Sequence, residues 1–465
     1  MSHSHELHSH ELHSHELHSH ELHSHEPHVV SQFISQFNGS IRFLQRQAVS
    51  LLLYRSVMQG TIAQAFLSLL QTLRQPEADD LAVLPAYGHW FESLAIAGVS
   101  WQDYLLLQLL RANNCFTRKV QHRAIDALPE AMIAAVQHDL RALQQIYTWD
   151  SRQISEWVQV KSGLETPLVA WKTDFLHPEI QSLSQHPLWS KLETSADWAA
   201  LLPELAEFYR QFGTGLFATY RAFRWQGKLV GIVHPDPIQL DELVGYDAPK
   251  QRLIQNTEAL LAGYPALHVL LYGSRGSGKS SLVKALLSAY SGQGLRLIEV
   301  SKADLRDLPT IVDAVRDVPQ KFIIFVDDLS FEEDDDAYKA LKVVLEGSVT
   351  ARPQNLVVYA TSNRRHLIRE FFADRPRPSD ADEVHAWDTM QEKLSFSDRF
   401  GLTLTFEPAN QDTYLTIVRH LAEWFGIDLD PQTLEFRALQ WATRHNGRSG
   451  RTARQFIDFL RAEQA

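Results

Sequence analysis

A loop rich in glycine and serine gives the clearest chemical signal in the sequence. The segment GSRGSGKS at residues 273–280 follows an apolar run at 268–272 and precedes a helical pattern. Its glycines would let backbone amides surround phosphate oxygens, Lys279 would neutralise their charge, and Ser280 could bind Mg²⁺. We therefore predict a nucleotide-phosphate site, the alternative being a flexible turn without a ligand. The predicted phosphate-binding residues are Gly273, Ser274, Arg275, Gly276, Ser277, Gly278, Lys279, Ser280 and Ser281.

An acidic pair ends a second apolar run, FIIFVDD at residues 322–328. If this run is a strand beside the one that precedes the loop, its carboxylates reach the phosphate site. We expect Asp327 to hold Mg²⁺, directly or through water, and Asp328 to polarise the attacking water. The alternative is a solvated acidic loop, which applies best to the further acidic residues at 332–336.

Two more polar residues stand near the ends of predicted strands. Asn363 follows the apolar run 355–361, and Arg399 precedes the run 402–406. Together with the loop and the acidic pair, they make the chain resemble the AAA+ ATPases. The resemblance implies that Asn363 is the sensor 1 residue and that Arg399 is an arginine finger acting on the nucleotide of a neighbouring subunit. It also implies self-association into a ring or an open arc.

Segments on both sides of these motifs extend the resemblance. NGRSGRTARQFI at residues 446–457 looks like the sensor 2 motif, with Arg451 as the best match and Arg454 as the second. LDELVGYDAPK at residues 240–250 resembles the stretch that surrounds the adenine. The matching residues in that stretch are Val244, Gly245 and Tyr246. The implied cofactors are ATP and Mg²⁺.

More closely, residues 235–465 resemble an uncharacterised bacterial AAA+ family catalogued as a domain of unknown function. That resemblance implies the fold and ATP chemistry but no substrate. The sequence departs from most AAA+ motors in one place, where Asp328 stands instead of a glutamate. Because the shorter side chain would lie farther from the attacking water, we expect slow hydrolysis or assistance from Glu332 or Glu333.

Five β-rich runs separated by helical patterns must position these side chains. Such runs are typical of strands buried on both faces, so we predict an α/β fold with a five-stranded parallel sheet. Tryptophans concentrate before residue 226, where helical patterns predict an all-α domain with most aromatic residues in its core. The predicted parts are a disordered His-rich tail at 1–28, the helical domain at 29–230, the nucleotide-binding domain at 231–409 and a helical lid at 410–465.

Length and composition are those of an ordinary soluble protein of two or three domains. The 465 residues are 45% hydrophobic and carry a net charge of −12, which disfavours non-specific binding to nucleic acid or anionic membranes. The single cysteine, Cys115, excludes an intramolecular disulfide, and no apolar run is long enough for a membrane helix. We expect a cytoplasmic protein without a membrane partner.

The predicted tail repeats the unit HSHEL and contains 11 of the 22 histidines. Clustered imidazoles would suit zinc, nickel or copper. The simpler interpretation, which we favour, is repeat expansion or an affinity tag.

Two functions remain open from the sequence alone. We favour an ATPase that remodels or loads a protein or nucleoprotein client, with the client bound through the helical domain. The alternative is a slow ATP-dependent switch that binds a protein partner. Residues 301–310, which follow the second run, contain no aromatic residue and therefore disfavour protein threading. Action on nucleic acid is not favoured.

Overall fold

The chain forms two compact units, one of residues 1–102 and 141–173 and one of residues 103–140 and 174–465. These units divide the chain differently from the domains expected from the sequence, whose boundaries stay a prediction. The computed structural model describes residues 26–75, 80–173, 180, 183–331, 336–346, 353–363, 367, 396–445 and 447–464. The tail before residue 26, and Glu332 and Glu333, lie outside the described residues.

The first unit is helical, and helices α4 and α6 contribute residues to both units. Its helices, with the two shared ones, are α1 (Glu26–Val49), α2 (Thr61–Arg74), α3 (Val83–Ala97), α4 (Trp101–Leu110), α6 (Glu130–Tyr147) and α7 (Ser151–Ser162). Helix α1 begins at Glu26, within the segment 1–28 that the sequence predicts to be a tail. Pro27, its second residue, is compatible with a first helical turn.

Aromatic side chains fill the core of this first unit, as the sequence predicts. Trp90 and Trp101 are buried, and the Phe66 ring lies 4.3 Å from that of Trp101 and 5.5 Å from that of Trp90, centroid to centroid. Such tilted aromatic pairs bury large apolar areas. Helix α7 begins where Asp150 accepts a hydrogen bond from the Gln153 amide in a capping box.

Among the described residues, the second unit contains the remaining helices and seven strands. Its helices are α5 (Cys115–Val120), α8 (Pro187–Thr194), α9 (Leu202–Phe212), α10 (Leu216–Thr219), α11 (Asp247–Leu261), α12 (Lys279–Tyr290), α13 (Leu308–Val315), α14 (Asp336–Glu346), α15 (Gln411–Trp424), α16 (Pro431–Arg444) and α17 (Gly450–Gln464). Its strands are β1 (Ala222–Trp225), β2 (Leu229–Ile232), β3 (Val269–Gly273), β4 (Leu295–Glu299), β5 (Lys321–Val326), β6 (Leu356–Ser362) and β7 (Leu402–Phe406).

The strands form one sheet in the order β2-β1-β4-β5-β6-β3-β7. All neighbouring pairs are parallel except β1 and β2. The five predicted strands, β3 to β7, are confirmed, and all five lie in the parallel part of the sheet. Parallel strands of this kind present their carboxyl ends, and the loops that follow them, along one edge of the sheet.

The prediction of only five strands was wrong. β1 and β2 form an antiparallel hairpin across the predicted boundary at residue 230, and β1 pairs in parallel with β4. Each strand of the hairpin has only four residues, too few for a strand period to stand out in the sequence. Phe223 and Trp225 nevertheless enter the core while Arg224 pairs with Glu299 at 2.8 Å, which is the alternation of a half-buried strand.

Alternate residues of each central strand enter the two cores that flank the sheet. On β5, Phe322, Ile324 and Val326 face the core under α13 and α14, whereas Ile323 and Phe325 face the core under α11 and α12. Helices α15, α16 and α17, which lie in the predicted lid, have a third core built around residues such as Tyr414 and Phe456. The sheet is therefore covered on both faces, as its continuous apolar strands require.

A buried arginine joins two helices of the second unit to the sheet. Arg296, on β4, is 1% exposed, and its guanidinium donates to the carbonyl oxygens of Phe212, Phe217, Ser291 and Leu295 at 2.9–3.1 Å. All five N–H groups are used, so hydrogen bonds replace the lost hydration. Burial, with repulsion by Arg221, lowers the pKa of this guanidinium to about 9.

Among the described residues, no helix is long and apolar enough to cross a membrane.

Candidate functional site

A cavity of about 790 Å³ lies at the carboxyl ends of β3, β5 and β6, within the second unit. Its lining combines a polar end with an apolar end. The lining residues at the polar end include Arg275, Gly276, Ser277, Gly278, Lys279, Ser280, Ser281, Asp327, Asp328, Thr361, Asn363 and Arg451. A volume of this size fits a nucleotide-sized ligand.

The predicted phosphate loop forms the tight turn between β3 and α12. Gly273 has φ +143°, and a Cβ there would lie 1.9 Å from the Phe406 carbonyl oxygen on β7, so only glycine fits. Gly278 has φ +88° and immediately precedes α12, whose first residue is Lys279. The free amides at the start of α12 therefore open into the cavity, where they favour an anion. Gly273 and Ser274 belong to the loop but do not line the cavity.

Lys279 is held at the base of the loop. Its Nζ donates to the carbonyl oxygens of Gly273 at 3.0 Å and Ser274 at 2.7 Å, and it lies 3.4 Å from Asn363 Oδ1. Burial lowers the pKa of this ammonium; Asp327 and Asp328 raise the pKa, and Arg451 lowers it further. The ammonium is thus already in the loop, and a phosphate oxygen could replace either carbonyl oxygen as the acceptor of its hydrogen bonds.

Asp327, the first carboxylate after β5, accepts hydrogen bonds from three donors through the same oxygen. Ser280 Oγ donates to Asp327 Oδ1 at 2.6 Å, the Thr361 hydroxyl donates to the same atom, and the Asp328 amide lies 3.2 Å from it. The second carboxylate oxygen takes part in none of these bonds. Because Ser280 gives its proton to Asp327, the lone pairs of its hydroxyl remain available for a cation.

Asp328 occupies a left-handed backbone conformation with φ 52°, unlike every other described residue that is not glycine. Its amide donates to Thr361 Oγ1 at 2.9 Å, and its carboxylate accepts from Asn363 Nδ2 at 2.6 Å. Asn363 therefore contacts both Lys279 and Asp328. The structure brings together the lysine, the acidic pair and the asparagine that the sequence singled out separately.

The apolar end of the cavity lies between the segment before α11 and the lid. Val244, Tyr246, Ile417 and Leu421 line it. The Tyr246 ring lies 5.3 Å from that of Phe406, and its hydroxyl donates to the Glu407 carbonyl at 2.9 Å. These flat and branched side chains suit a planar heterocycle.

Gly245 supports the apolar end without being a lining residue. It has φ +86°, and a Cβ there would lie 3.0 Å from Thr413 Cγ2 on α15. Burial raises the pKa of the neighbouring Tyr246 hydroxyl.

The lid contacts the phosphate loop through its last helix. The Arg451 amide, in the first turn of α17, donates to the Gly276 carbonyl at 3.0 Å. One turn later, Arg454 pairs with Glu242 at 3.1 Å, and its guanidinium lies 4.5 Å from the centre of the Phe425 ring. Both arginines line the cavity, as does Glu242.

Arg399 lies away from the cavity of its own chain. It ends the short helical turn Phe396–Arg399 and pairs with the carboxylate of Glu346, the last residue of α14. Hydrogen bonding and charge at Glu346 raise the pKa of Arg399, although partial burial opposes them. Of the predicted catalytic residues, Arg399 is the one that the structure does not bring to the site.

Sequence reasoning missed several residues of the site, among them Thr361 and Glu242. Thr361 bridges the acidic pair, and Glu242 anchors Arg454. A signal existed for Thr361, because it ends the apolar run 355–361 and precedes Asn363 by two residues. Glu242 had no such signal, since its partner is 212 residues away in the chain.

Comparison with known proteins identifies a family and several similar solved structures. A family model described as a protein of unknown function, DUF815, matches residues 218–464. The fold is similar to Thermotoga maritima RuvB, a Holliday junction branch migration motor, at 16% identity and a TM-score of 0.32, covering 49% of this chain and 67% of that one. A mutant of the same RuvB gives 18% identity and a TM-score of 0.34, covering 49% and 68%. No curated protein matches the chain.

Proposed function

The chain belongs to the DUF815 family, whose function is unknown, and we propose that it is a cytoplasmic AAA+ ATPase that binds and hydrolyses Mg-ATP. One observation carries the proposal: Lys279, Ser280, Asp327, Asp328 and Asn363 converge at the polar end of one cavity through hydrogen bonds of 2.6–3.4 Å. No two of the contributing segments are contiguous, so the fold has assembled them.

The residues present fit a triphosphate with its magnesium ion. The loop amides and the start of α12 would hold the phosphate oxygens, and Lys279 would exchange its two carbonyl acceptors for them. Ser280 Oγ and Asp327 offer the oxygen ligands that Mg²⁺ prefers, with Asp327 acting directly or through water. The bound ion would supply neutralisation of charge on the phosphate oxygens.

Asp328 would orient the attacking water, and Asn363 would set the direction of its carboxylate. The amide of Asn363 holds one carboxylate oxygen, which leaves the other for a water molecule. Arg451 and Arg454 add positive charge on the lid side of the cavity. These groups position and stabilise charge, which is the main contribution of protein residues in phosphoryl transfer.

Arg399 would serve the nucleotide of a neighbouring subunit. Within its own chain, Arg399 pairs with Glu346 outside the cavity. If it acts as an arginine finger, as its motif suggests, it would therefore act on the nucleotide of another subunit. We therefore propose that ATP hydrolysis depends on self-association into a ring or an arc.

Two uses of ATP remain in competition, the remodelling or loading of a client and a slow binding switch. One observation favours the switch over a threading motor. The turn Lys302–Asp307 that follows β4 is held in place: Leu305 is fully buried, and Trp225 Nε1 donates to Asp307 Oδ2 at 2.9 Å. A turn fixed in this way is poorly suited to grip a moving polypeptide.

Nucleotide binding and turnover test the proposal. Purified wild-type protein should bind ATP in the presence of Mg²⁺ and release phosphate, while Lys279→Ala should bind at least about tenfold more weakly because charge-assisted hydrogen bonds are lost. Lys191→Ala, which removes an exposed lysine paired with Glu204, is the matched control. A wild-type protein that binds no ATP would contradict the proposal.

The rate of turnover separates the two uses of ATP. Many turnovers per minute would favour remodelling. Slow turnover together with nucleotide-dependent retention of a protein partner would favour the switch.

A further inference from the structure

Thr361 lies where two strands of the site end side by side. It is the sixth residue of β6, and the parallel register pairs Val326 of β5 with Ala360, so Thr361 follows one position later, opposite Asp327. The side chain is 2% exposed. A buried hydroxyl at this place must find partners within the protein, and both of its partners belong to the acidic pair.

The Thr361 hydroxyl connects the two acidic residues through one oxygen atom. Its single proton is donated to Asp327 Oδ1, so the contact with the Asp328 amide at 2.9 Å uses a lone pair as acceptor. The direction of each bond is therefore fixed by the other. Rotating the hydroxyl toward another acceptor would break its bond to Asp327 and would turn its lone pair away from the Asp328 amide.

The same residue also holds the backbone that follows β5. The Leu329 amide donates to the Thr361 carbonyl at 2.7 Å, and the Asp328 amide donates to its hydroxyl. Two successive amides are thus held by one residue on the neighbouring strand. Between them stands Asp328 with φ 52°, a left-handed conformation that is unfavourable for a residue with a Cβ. These bonds offset that cost and fix the direction in which the Asp328 side chain leaves the backbone.

We propose that Thr361 is a positioning residue that couples the metal-binding carboxylate of Asp327 to the water-orienting carboxylate of Asp328. The proton of the Thr361 hydroxyl orients the Asp327 carboxylate. A lone pair of the same hydroxyl accepts from the Asp328 amide and so orients the turn that carries Asp328. This inference rests on the proposed ATPase function. It predicts that loss of one hydroxyl disturbs two properties together, the magnesium requirement and the turnover number.

Three substitutions test the coupling. Thr361→Val removes the hydroxyl at nearly constant volume, Thr361→Ser keeps it, and Ser362→Ala is the matched control. Ser362 is the next residue, equally buried, and its hydroxyl donates at 2.8 Å to the Leu329 carbonyl rather than to the acidic pair. If thermal melting shows that Thr361→Val does not fold, Thr361→Ala is used in its place.

Steady-state ATP hydrolysis is measured over a magnesium titration and an ATP titration. For Thr361→Val we expect kcat to fall about 10- to 100-fold and the magnesium concentration for half-maximal activity to rise, as is typical when a residue that orients a ligand is lost. KM for ATP should change less than kcat, because Lys279 and the apolar end are untouched. Thr361→Ser should restore both properties to within a few fold of wild type.

The inference is overturned if Thr361→Val hydrolyses ATP with wild-type kcat and magnesium dependence, or if Ser362→Ala reproduces its defects. If instead the proposed ATPase function is wrong, the wild-type protein itself will show no ATP turnover. That result would contradict both the proposed function and this inference. A kcat loss in Thr361→Val that Thr361→Ser does not rescue would show that the methyl group and not the hydroxyl matters.

Discussion

At the scale of single residues, the aspartate at position 328 is explained by its backbone. From the sequence, an aspartate in place of glutamate is expected to lie farther from the attacking water and to make hydrolysis slow unless Glu332 or Glu333 assists. In the structure, Asp328 has φ 52°, and its carboxylate accepts from Asn363 at 2.6 Å. Aspartate and asparagine tolerate the left-handed region better than longer side chains. The short side chain therefore suits the turn, and Asn363 directs it.

The first residue-scale prediction concerns this carboxylate. Asp328→Asn should keep ATP binding and lose turnover, because asparagine tolerates the same backbone conformation but cannot polarise water as an anion does. Binding is measured by calorimetry and turnover by phosphate release. Asp313→Asn, an exposed aspartate paired with Arg316 on α13, is the control. Normal turnover in Asp328→Asn would assign the base to another residue.

How much of the site could be predicted depended on how its residues are distributed along the chain. The loop from Gly273 to Ser281 is contiguous, and its spacing alone carries the phosphate chemistry. Asp327 and Asn363 were identified because each follows a clear apolar run. Thr361 was not, since its role depends on the register between β5 and β6, which single-sequence patterns do not specify.

At the scale of elements, the strands that were predicted from the sequence are those with continuous apolar runs, and the strands that were missed lack such runs. Strands β3 to β7 lie within about one residue of the predicted runs, because strands buried on both faces are continuously apolar. The hairpin of β1 and β2 was missed because each strand has only four residues and the charged Arg224 interrupts the apolar residues of β1. Its place at the sheet depends on pairing with β4, a contact between distant parts of the chain.

A buried tyrosine connects strand β6, which ends just before Asn363, to helix α11. Tyr359 on β6 lies within 3.0 Å of both Asn256 and Thr257 through its hydroxyl. Burial raises the pKa of Tyr359 to about 12. The folded state therefore holds this proton more tightly than the unfolded state, whose tyrosines titrate near 10. The stabilisation is complete below pH 10 and is lost as the pH rises from about 10 to about 12.

An element-scale prediction follows for alkaline pH. Replacing Tyr359 with phenylalanine should lower the free energy of unfolding at pH 8 by about 1 kcal/mol and should reduce its fall between pH 10 and 12 by about 1.4 kcal/mol per pH unit, the contribution of one proton. Urea unfolding at a series of pH values measures both. Tyr290 and Tyr414, whose pKa values are also raised to about 12, keep part of the dependence.

The control for this prediction is Tyr264→Phe, which alters an exposed tyrosine of the same unit. An unchanged alkaline slope in Tyr359→Phe would mean that the Tyr359 proton is not linked to unfolding.

At the scale of the whole molecule, the position of Arg399 leads to a prediction about assembly. Because Arg399 lies outside the cavity of its own chain, Arg399→Ala should leave ATP binding intact in dilute protein. For the wild-type protein we expect turnover per subunit to rise with protein concentration, and Arg399→Ala should abolish this rise. If Arg399 is an arginine finger, the variant should turn over ATP about 10³-fold or more slowly than the assembled wild-type protein. The measurement is phosphate release across a concentration series.

Arg419→Ala is the matched control, since Arg419 is an exposed arginine paired with Glu435 on the lid. Wild-type turnover and wild-type concentration dependence in Arg399→Ala would remove the basis for a finger acting between subunits.

The buried guanidinium of Arg296 limits where the chain can be cut for recombinant work. A fragment starting at residue 231, where the sequence suggests a domain boundary, would discard the Phe212 and Phe217 carbonyls and also strand β1. The guanidinium would then keep only Ser291 and Leu295 as acceptors, and a buried cation stripped of partners costs several kcal/mol. Even the family match, which begins at residue 218, excludes both lost carbonyls. Fragments meant to isolate the nucleotide-binding half should therefore start upstream of α9.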